Sequence, residues 1–272
     1  TPMIIDSKIY KKLKYSAESG LPMIWMSGIQ LGTTSPVTIA GAIASNMCEM
    51  LMGVILSQLI NEGCTIACGM VVLTVDMGTT YSAYGSPEHC LGEAINADLF
   101  HYLNLPTMQT GGVTDSKLVD EQAALETSMQ VLVNMLSGGH LVHDVGFIDG
   151  AMSGALEQIV LTDEIVGYAR RIERGITINE ETLALDVIHE VGPGGEFLTN
   201  DHTLENFRDE VWFPTLLNRE IYGNWEHHKT DMRTRIHDKT AHLLAEHRAP
   251  ELPADVKARL DEILKSAEER VK

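Results

Sequence analysis

The sequence is poor in positive charge and has no long, uninterrupted apolar run. Its 272 residues include 20 Lys and Arg against 38 Asp and Glu, which gives a net charge of −18. This excess of acid argues against nucleic acid and against an anionic membrane surface as partners. No stretch approaches the ~20 consecutive apolar residues of a membrane-spanning helix, and the N-terminus lacks a signal-peptide pattern. We therefore expect a soluble protein of the cytoplasm.

The four cysteines and eleven histidines form no pattern that predicts a disulfide framework or a metal site. Cys64 and Cys68 are four residues apart in a predicted strand, so their side chains share one face and suit buried apolar positions. Neither a Rossmann fingerprint nor a P-loop is present. The sequence predicts no bound metal and no bound nucleotide.

The sequence does contain a repeat: a short apolar run, a glycine-containing polar loop and then a helical segment. The apolar runs begin near Leu21, Cys64, Leu105 and His140. Two helical segments open with Ser35-Pro36 and Ser86-Pro87, where the serine can cap the helix and the proline can take its first position. Near-continuous apolar runs are typical of parallel strands covered on both faces. The pattern predicts an α/β protein with four β/α units of a TIM-type barrel, which needs eight.

The repeat ends near residue 174 and divides the chain into two predicted parts. Residues 1–174 are expected to form the C-terminal half of a β/α barrel. Its strands are predicted at 22–27, 64–76, 106–110 and 140–148, and its third helix is predicted to begin near residue 117. Residues 175–272 are expected to form a helical extension packed on the barrel. The charged segment 251–272 is typical of a surface helix that closes the barrel or contacts another subunit.

The candidate functional residues lie where the predicted strands end, because the carboxyl ends of parallel strands converge. They are acids, aromatic or polar side chains and one histidine, namely Trp25, Gln30, Asp76, Tyr81, Gly112, Thr114, Asp115, His143, Phe147 and Asp149. Carboxylates and aromatic faces with little positive charge around them suit a cationic ligand. The sequence therefore predicts a cation-binding pocket.

Some of these residues also have a purely structural explanation. Asp115 precedes a helix and can act as its N-cap, and Gly111-Gly112 can serve only a tight turn. His143 and Asp144 are neighbours in an apolar run, and adjacent side chains of a strand point to opposite faces, so at most one faces the pocket. Burying both without a role is costly, which favours a function for one of them.

Several segments of the chain resemble the trimethylamine methyltransferase family, whose members are corrinoid-dependent β/α barrels. The segments are GSPE at Gly85–Glu88, TGGVTDSK through DEQAALE at Thr110–Glu126, LEQIVLTDEIVGYARR, ITINEETLALDVIHEVGPGGEFL and YGNW. They are collinear and span nearly the whole chain. The resemblance implies that the chain corresponds to the C-terminal half of a family member.

The resemblance also implies a class of substrate. Founding members carry pyrrolysine just before a Ser/Thr-Asp pair, and here that slot is Val113, before Thr114-Asp115. Pyrrolysine is held to bind and activate a tertiary amine, whereas a quaternary ammonium is already charged and leaves as a neutral amine. Valine therefore implies the pyrrolysine-free branch, which resembles glycine betaine methyltransferases. We interpret Lys117 as an ordinary lysine of the first helical turn.

The implied reaction is an in-line attack by cobalt(I) of a corrinoid on an N-methyl group. The corrinoid is carried by a separate cognate protein, and no cofactor or metal is expected on this chain. The residues predicted to be catalytic, which match acids of the family pattern, are Asp76, Asp115 and Asp149. The residues predicted to bind substrate are Trp25, Gln30, Tyr81, Gly112, Val113, Thr114, His143 and Phe147. The family resemblance and the apolar first helix also predict a homo-oligomer.

Three alternatives stay open at this point. Trimethylamine itself can be the substrate. The chain can be a non-catalytic half that binds or scaffolds the corrinoid protein, because four β/α units leave an open sheet with two exposed edges. A zinc-dependent thiol methyltransferase would need a clustered Cys/His site, which the spacing does not supply.

Overall fold

The computed structural model describes residues 2–271 as a mixed α/β protein with small sheets. The strands are β1 (Met23–Gln30), β2 (Ile66–Val75), β3 (Ser82–Ala83), β4 (Met108–Thr110), β5 (Leu141–His143), β6 (Phe147–Ile148) and β7 (Ser153–Gly154). The helices of the first part are α1 (Ser7–Glu18), α2 (Ile39–Ile60), α3 (Pro87–Tyr102), α4 (Glu121–Leu136) and α5 (Leu156–Glu173). Those that follow are α6 (Glu180–Leu183), α7 (Leu185–Val191), α8 (Asp201–Glu210), α9 (Tyr222–Trp225), α10 (Met232–Glu246) and α11 (Ala254–Val271).

Four parallel strands are neighbours in chain order. β1 pairs with β2 from Met23↔Ile66 to Gln30↔Leu73, and β4 pairs with β5 from Met108↔Leu141 to Thr110↔His143. A single parallel bridge, Cys68↔Thr107, joins β2 to the segment that leads into β4. Within residues 2–271 the sheet stays open, and no closed barrel is present.

Helices cover one face of this sheet and leave part of the other exposed. The core on the covered side includes Ile29, Met50, Met70 and Phe100, all fully buried between β1, β2, α2 and α3. On the opposite face Ile24, at the β1 edge, is 51% exposed, and Leu141 of β5 is 50% exposed. The expected cover on both faces is therefore confirmed for β2, which is buried along nearly its whole length, and is wrong for β1 and β5 within the described residues.

Two predicted helix starts differ from the structure and one agrees. Ser86 caps α3 by accepting from the His89 amide, with Pro87 in the first turn, as predicted. Ser35 does not cap α2, because its amide and its hydroxyl both donate to the Gln30 carbonyl, so the helix begins only at Ile39. The third helix begins at Glu121 rather than near residue 117, because Asp120 provides the cap, by accepting from the Ala123 amide.

The last predicted strand of the first part is also shorter than expected. It ends at His143, because Asp144 adopts a left-handed backbone with φ of 74° and turns the chain away. The segment to residue 148 continues as a turn and then as β6, which pairs with β7 in antiparallel orientation. Asp144 is therefore not a strand residue, and the expectation that His143 and Asp144 point to opposite faces is wrong.

The C-terminal part is attached to α5 mainly through Glu164. This carboxylate accepts from the amides of Thr215, Leu216 and Leu217 and from the Thr215 hydroxyl. α10 packs on α5 nearby, with Ile236 buried against Val160 and Leu161. Residues 241–270, which include most of α11, are exposed throughout.

Helix α2 is, among the described residues, the one helix long and apolar enough to cross a membrane by length and composition alone. Our expectation that no stretch comes near that limit is corrected by this finding. Core helices of globular proteins pass the same test. α2 packs on β1 and β2 and buries Asn46, Glu49 and Ser57 there.

Candidate functional site at the carboxyl ends of the parallel strands

The loop that follows β4 is fastened to the turn before α3 by Asp115. One carboxylate oxygen of Asp115 accepts from the Tyr84 amide at 3.0 Å and the other accepts from the Gly85 amide at 2.8 Å. Asp115 is therefore not a helix cap. It joins two loops that are 30 residues apart in the chain.

Glu126 of α4 reinforces this junction from behind. Its Oε2 accepts from the Thr114 hydroxyl at 2.6 Å and from the Asp115 amide at 2.8 Å. Its carboxylate also lies so close to the Gly85 Cα that a Cβ at position 85 would overlap it. Burial raises the pKa of Asp115, and the Glu126 charge raises it further, while the amides of Gly85 and Tyr84 oppose the shift.

The position of Val113 is fixed by hydrogen bonds to its backbone amide and carbonyl groups. The Gln130 side chain accepts from the Val113 amide at 3.1 Å and donates to the Val113 carbonyl at 2.8 Å and to the Tyr84 carbonyl at 2.9 Å. Val113 has no exposed surface. Gly112 before it has φ of 85°, and a Cβ there would lie 3.2 Å from the Val145 Cα, so glycine is required. The valine is thus part of a rigid loop base rather than an exposed wall.

His143 is held between a carboxylate and a hydroxyl group. Its Nδ1 lies 2.6 Å from the Asp144 Oδ1, and its Nε2 lies 3.3 Å from the Thr110 Oγ1. The left-handed backbone of Asp144 folds its carboxylate back onto the ring. This contact favours a proton on Nδ1 and leaves Nε2 toward Thr110.

Two buried groups of α3, His89 and Glu93, lie behind Thr110. The Glu93 Oε2 accepts from the Thr110 amide at 3.1 Å, and burial raises the pKa of Glu93 well above its ordinary value. The His89 Nδ1 lies 3.0 Å from the Val72 carbonyl, and burial lowers the pKa of His89 to about 4. Burial therefore disfavours the charged form of both side chains.

Tyr84 brings an aromatic ring to the same place. It is half-buried, and its ring meets the His89 ring edge-on with centroids 5.8 Å apart. Burial raises the pKa of its phenol, and the charges of Asp144 and Asp115 raise it further. Tyr84 is not among the predicted site residues, although it directly precedes the GSPE segment. Glu93 and His89 were also missed, and their sequence signal is a pair of polar residues, four apart, on the sheet-facing side of α3.

Other predicted residues make fewer contacts with this region. The Gln30 Nε2 donates to the Ser82 hydroxyl at 2.5 Å, which links the end of β1 to the loop after β2. The Phe147 carbonyl accepts from the Thr114 amide at 3.2 Å, and its side chain is 39% exposed. Lys117 donates to the Asp115 carbonyl and lies 3.5 Å from the Asp149 carboxylate. Lys117 is therefore a loop residue rather than part of the first helical turn.

Three predicted site residues lie away from this cluster. Trp25 projects to the covered side of the sheet, where its indole donates to the Glu49 carbonyl and packs directly on Gly53 of α2. Asp76 is exposed in a turn and accepts from the Gly78 and Thr79 amides, and the bond from the Thr79 amide is the main cause that lowers its pKa. Tyr81, in the same turn, is 78% exposed.

The cluster is acidic and aromatic, with one lysine nearby. Every arginine of the chain lies at or after Arg170, and Lys117 is the one lysine between Lys14 and Lys229. Among residues 2–271, no three His, Cys, Asp or Glu side chains are grouped in a way that could hold a metal ion. The arrangement suits a ligand that carries positive charge without N–H donors of its own, since the backbone already occupies the acceptors of Asp115.

A protein-family model described as trimethylamine methyltransferase (MTTB) matches residues 1–271. Glycine betaine methyltransferase of Desulfitobacterium hafniense (strain Y51) is 34% identical over 261 residues, 96% of this chain and 54% of that protein. Trimethylamine methyltransferase MttB of Methanosarcina barkeri (strain Fusaro / DSM 804) is 31% identical over 269 residues, 98% of this chain and 54% of that protein. The chain spans about half the length of the curated relatives it matches.

Proposed function

This chain belongs to the trimethylamine methyltransferase family, and we propose on that basis that it moves an N-methyl group from a quaternary amine to cob(I)alamin of a corrinoid protein. Glycine betaine is the quaternary amine named for one of the relatives. The corrinoid enters as a second substrate, carried by its own protein.

We also propose that residues 1–174 are half of a β/α barrel. Three observations support this proposal: the strands β1, β2, β4 and β5 are parallel, they follow chain order, and Ile24 and Leu141 on one face are half exposed. The partly exposed face then corresponds to the inner wall, which further strands would complete.

The observation that carries the function is the set of carboxylates around Tyr84 without an arginine among them. Asp115 and Asp144 both act electrostatically on the Tyr84 phenol. Their charges are met by backbone amides and by the His143 imidazole rather than by guanidinium groups. Such a place attracts an ammonium ion, and an aromatic face adds a cation–π contact of about 0.5–2 kcal/mol.

The reaction requires that the site bind the substrate cation without stabilising it more than the transition state. As the C–N bond breaks, its electron pair stays on nitrogen and the positive charge disappears, while the methyl group passes to cobalt(I). A carboxylate in direct contact with the ammonium would stabilise the substrate more than the transition state. Asp115 is engaged with two amides, so its charge acts at a distance, and the residues here orient the N-methyl group rather than transfer a proton.

His143 supplies the donor that a betaine needs. A betaine carries a carboxylate as well as the ammonium, and its carboxylate requires an N–H or O–H group. With Nδ1–H donated to Asp144, the His143 Nε2 donates to the betaine carboxylate only when the ring carries both protons, and the Thr110 hydroxyl is the second donor beside it. We assign the carboxylate end of the substrate to His143 and the ammonium end to Tyr84.

Trimethylamine is the second candidate substrate, since several relatives carry that name. The position of Val113 disfavours it. A buried valine whose backbone is clamped by Gln130 offers no group that could activate a tertiary amine.

The test is methyl transfer in solution. The protein is incubated with cob(I)alamin and, separately, with glycine betaine, carnitine, choline and trimethylamine, and the absorbance of methylcobalamin is followed. We expect product with at least one quaternary amine and a slower rate for the Asp115→Asn variant. Product with trimethylamine alone, or with none of the four amines, would overturn the proposal.

A further inference from the structure

Helix α4 presents a row of three polar side chains to the loop that follows β4, namely Glu126, Gln130 and Asn134. Asn134 donates to the Thr110 carbonyl at 2.9 Å. Gln130 binds the amide and the carbonyl of Val113, and Glu126 accepts from the Asp115 amide. Because residues four apart lie on one face of a helix, the row holds the loop at three successive points.

Gln130 differs from its two neighbours because its side-chain amide forms hydrogen bonds with two loops. Its oxygen accepts from the Val113 amide, while its Nε2 donates to the Val113 carbonyl at 2.8 Å and to the Tyr84 carbonyl at 2.9 Å. An amide group has two N–H groups and one oxygen, so each of its polar atoms has a partner. The side chain is 2% exposed, which leaves water little access to replace these partners.

Two further glutamines, Gln109 and Gln158, are as deeply buried, and they are used less fully. Each donates one hydrogen bond, to the Glu93 carbonyl and to the Thr127 hydroxyl respectively. Within residues 2–271 each leaves its side-chain oxygen without a hydrogen-bond partner. Burying an amide is costly unless it is paired. The fully paired glutamine is therefore the one that lies where the two loops of the candidate site meet.

Tyr84 is held at both of its backbone polar groups. Its amide donates to Asp115 at 3.0 Å and its carbonyl accepts from Gln130. Resting on the proposed function, we propose that Gln130 is a positioning residue for the quaternary ammonium, because it fixes the Tyr84 ring relative to Asp115. The backbone occupies every polar atom of the Gln130 amide. Gln130 therefore acts on the ligand through Tyr84 and Val113 rather than by touching it.

The position of the ring matters because a cation–π contact requires the cation to lie over the aromatic face, within about 6 Å of its centre. A ring on a loosely held loop has to be ordered when the ligand binds, and that ordering lowers affinity. Without Gln130, Tyr84 would keep its contact with Asp115 and lose the bond to its carbonyl. We therefore expect a weaker site rather than an absent one.

The first experiment measures amide hydrogen exchange in the full chain without ligand. Gln130→Met keeps the length of the side chain and removes its polar atoms. The protection factors of the Tyr84 and Gly85 amides, relative to that of Met70 in β2, should fall at least about tenfold although their acceptor Asp115 is unchanged. Gln158→Met, the same change at a buried glutamine of α5, should leave them as in wild type. Wild-type protection in Gln130→Met would overturn the proposal.

Gln130→Glu provides a second variant that does not depend on the folding of Gln130→Met. It keeps an oxygen for the Val113 amide and replaces the N–H groups that bind the Tyr84 and Val113 carbonyls. We expect the Val113 amide to stay protected, while the Tyr84 and Gly85 amides lose protection about tenfold. Unchanged protection of Tyr84 and Gly85 in this variant would equally contradict the proposal.

The second experiment is calorimetric titration with glycine betaine. Gln130→Met should raise the Kd about tenfold, and Gln158→Met should leave it within about twofold. Because Gln130 acts on the contact between Tyr84 and Asp115, adding Asp115→Asn to Gln130→Met should cost less than the product of the two single effects. A wild-type Kd in Gln130→Met, or effects that multiply, would overturn the positioning role. If wild type binds no amine, the proposed function fails, whereas hydrogen exchange still decides whether Gln130 fixes Tyr84.

Discussion

Carboxylates at the carboxyl ends of the strands and carboxylates in the C-terminal region are held by different groups. At the strand ends, Asp115 accepts from two backbone amides and Glu126 accepts from an amide and a hydroxyl. In the C-terminal region, Glu210 lies within 3.2 Å of Arg171, and Glu220 lies 2.7 Å from His228. Asp115 and Glu126 are thus satisfied by neutral donors, whereas Glu210 and Glu220 lie beside basic side chains.

The difference shows where the chain keeps uncompensated negative charge. Neutral donors satisfy the hydrogen bonding of a carboxylate without cancelling its charge, whereas a basic side chain does both. Asp115 and Glu126 therefore keep their charge close to the Tyr84 ring, whereas the charges of Glu210 and Glu220 lie beside basic side chains. A cationic substrate is expected at the strand ends, and the position of the first arginine, at residue 170, follows the same division.

The largest effect should come from Glu→Gln at two buried glutamates, Glu164 at the junction with the C-terminal region and Glu93 behind the strand ends. Glu164 is ionised and accepts from Thr215, Leu216 and Leu217, so an amide in its place turns two N–H groups toward donors. We expect Glu164→Gln to lower the free energy of unfolding by about 2–4 kcal/mol.

Glu93→Gln is the matched control for this substitution. Because burial raises the pKa of Glu93 and so favours its neutral form, an amide there replaces a group that carries little charge, and it can still accept from Thr110. We expect a change below about 1 kcal/mol. Urea unfolding of both variants checks the pair, and a larger loss for Glu93→Gln than for Glu164→Gln would contradict the comparison.

The second prediction concerns substrate affinity. Asp115→Asn removes one charge from the strand ends and keeps an oxygen for one of the two amides, so we expect quaternary ammonium binding to weaken about tenfold. Glu220→Gln removes a charge from the C-terminal region, where Glu220 contacts His228, and should leave the affinity unchanged. Calorimetric titration with glycine betaine measures both, and equal losses would show that net charge alone is responsible.

The third prediction is a pH dependence confined to the junction with the C-terminal region. Burial raises the pKa of Glu164, but the hydrogen bonds from residues 215–217 outweigh it and hold the pKa below the ordinary value. Its contribution to stability is therefore complete above the unfolded pKa of about 4.3 and is lost as the pH falls through the folded value. The protection factors of the amides of 215–217 against hydrogen exchange should fall on acidification. The same pH dependence in Glu164→Gln would contradict this cause.

The smallest effect is expected at Asp76. Its carboxylate is exposed and accepts from the Gly78 and Thr79 amides within its own turn. Asp76→Asn should therefore leave the rate of methyl transfer within about twofold of wild type. A loss of rate as large as that of Asp115→Asn would support the sequence-based prediction that Asp76 is catalytic.

Features set by neighbouring residues were predictable from the sequence. The order of strands and helices and the Ser86 cap of α3 depend on residues within a few positions of one another, and local pattern reports them well. The convergence of the loops that contain Gln30, Thr114, Asp115 and Phe147 followed from the parallel arrangement of the strands.

Features set by distant residues were not predictable. Asp115 looked like a helix cap, because its partners at Tyr84 and Gly85 are 30 residues or more away in the chain. Trp25 was placed at the pocket, yet the strand register turns it to the α2 side. Asp144 adopts a left-handed backbone, which a residue other than glycine adopts seldom, so its contact with His143 had no local signal.

The central claim is that the site at the strand ends recognises the positive charge of its ligand. Glycine betaine and 3,3-dimethylbutanoate have the same shape and the same carboxylate, and they differ in a cationic nitrogen against a neutral carbon. We predict that calorimetric titration will show glycine betaine binding at least about tenfold more tightly than the carbon analogue. Equal affinities, or tighter binding of the carbon analogue, would contradict a cation site at the strand ends.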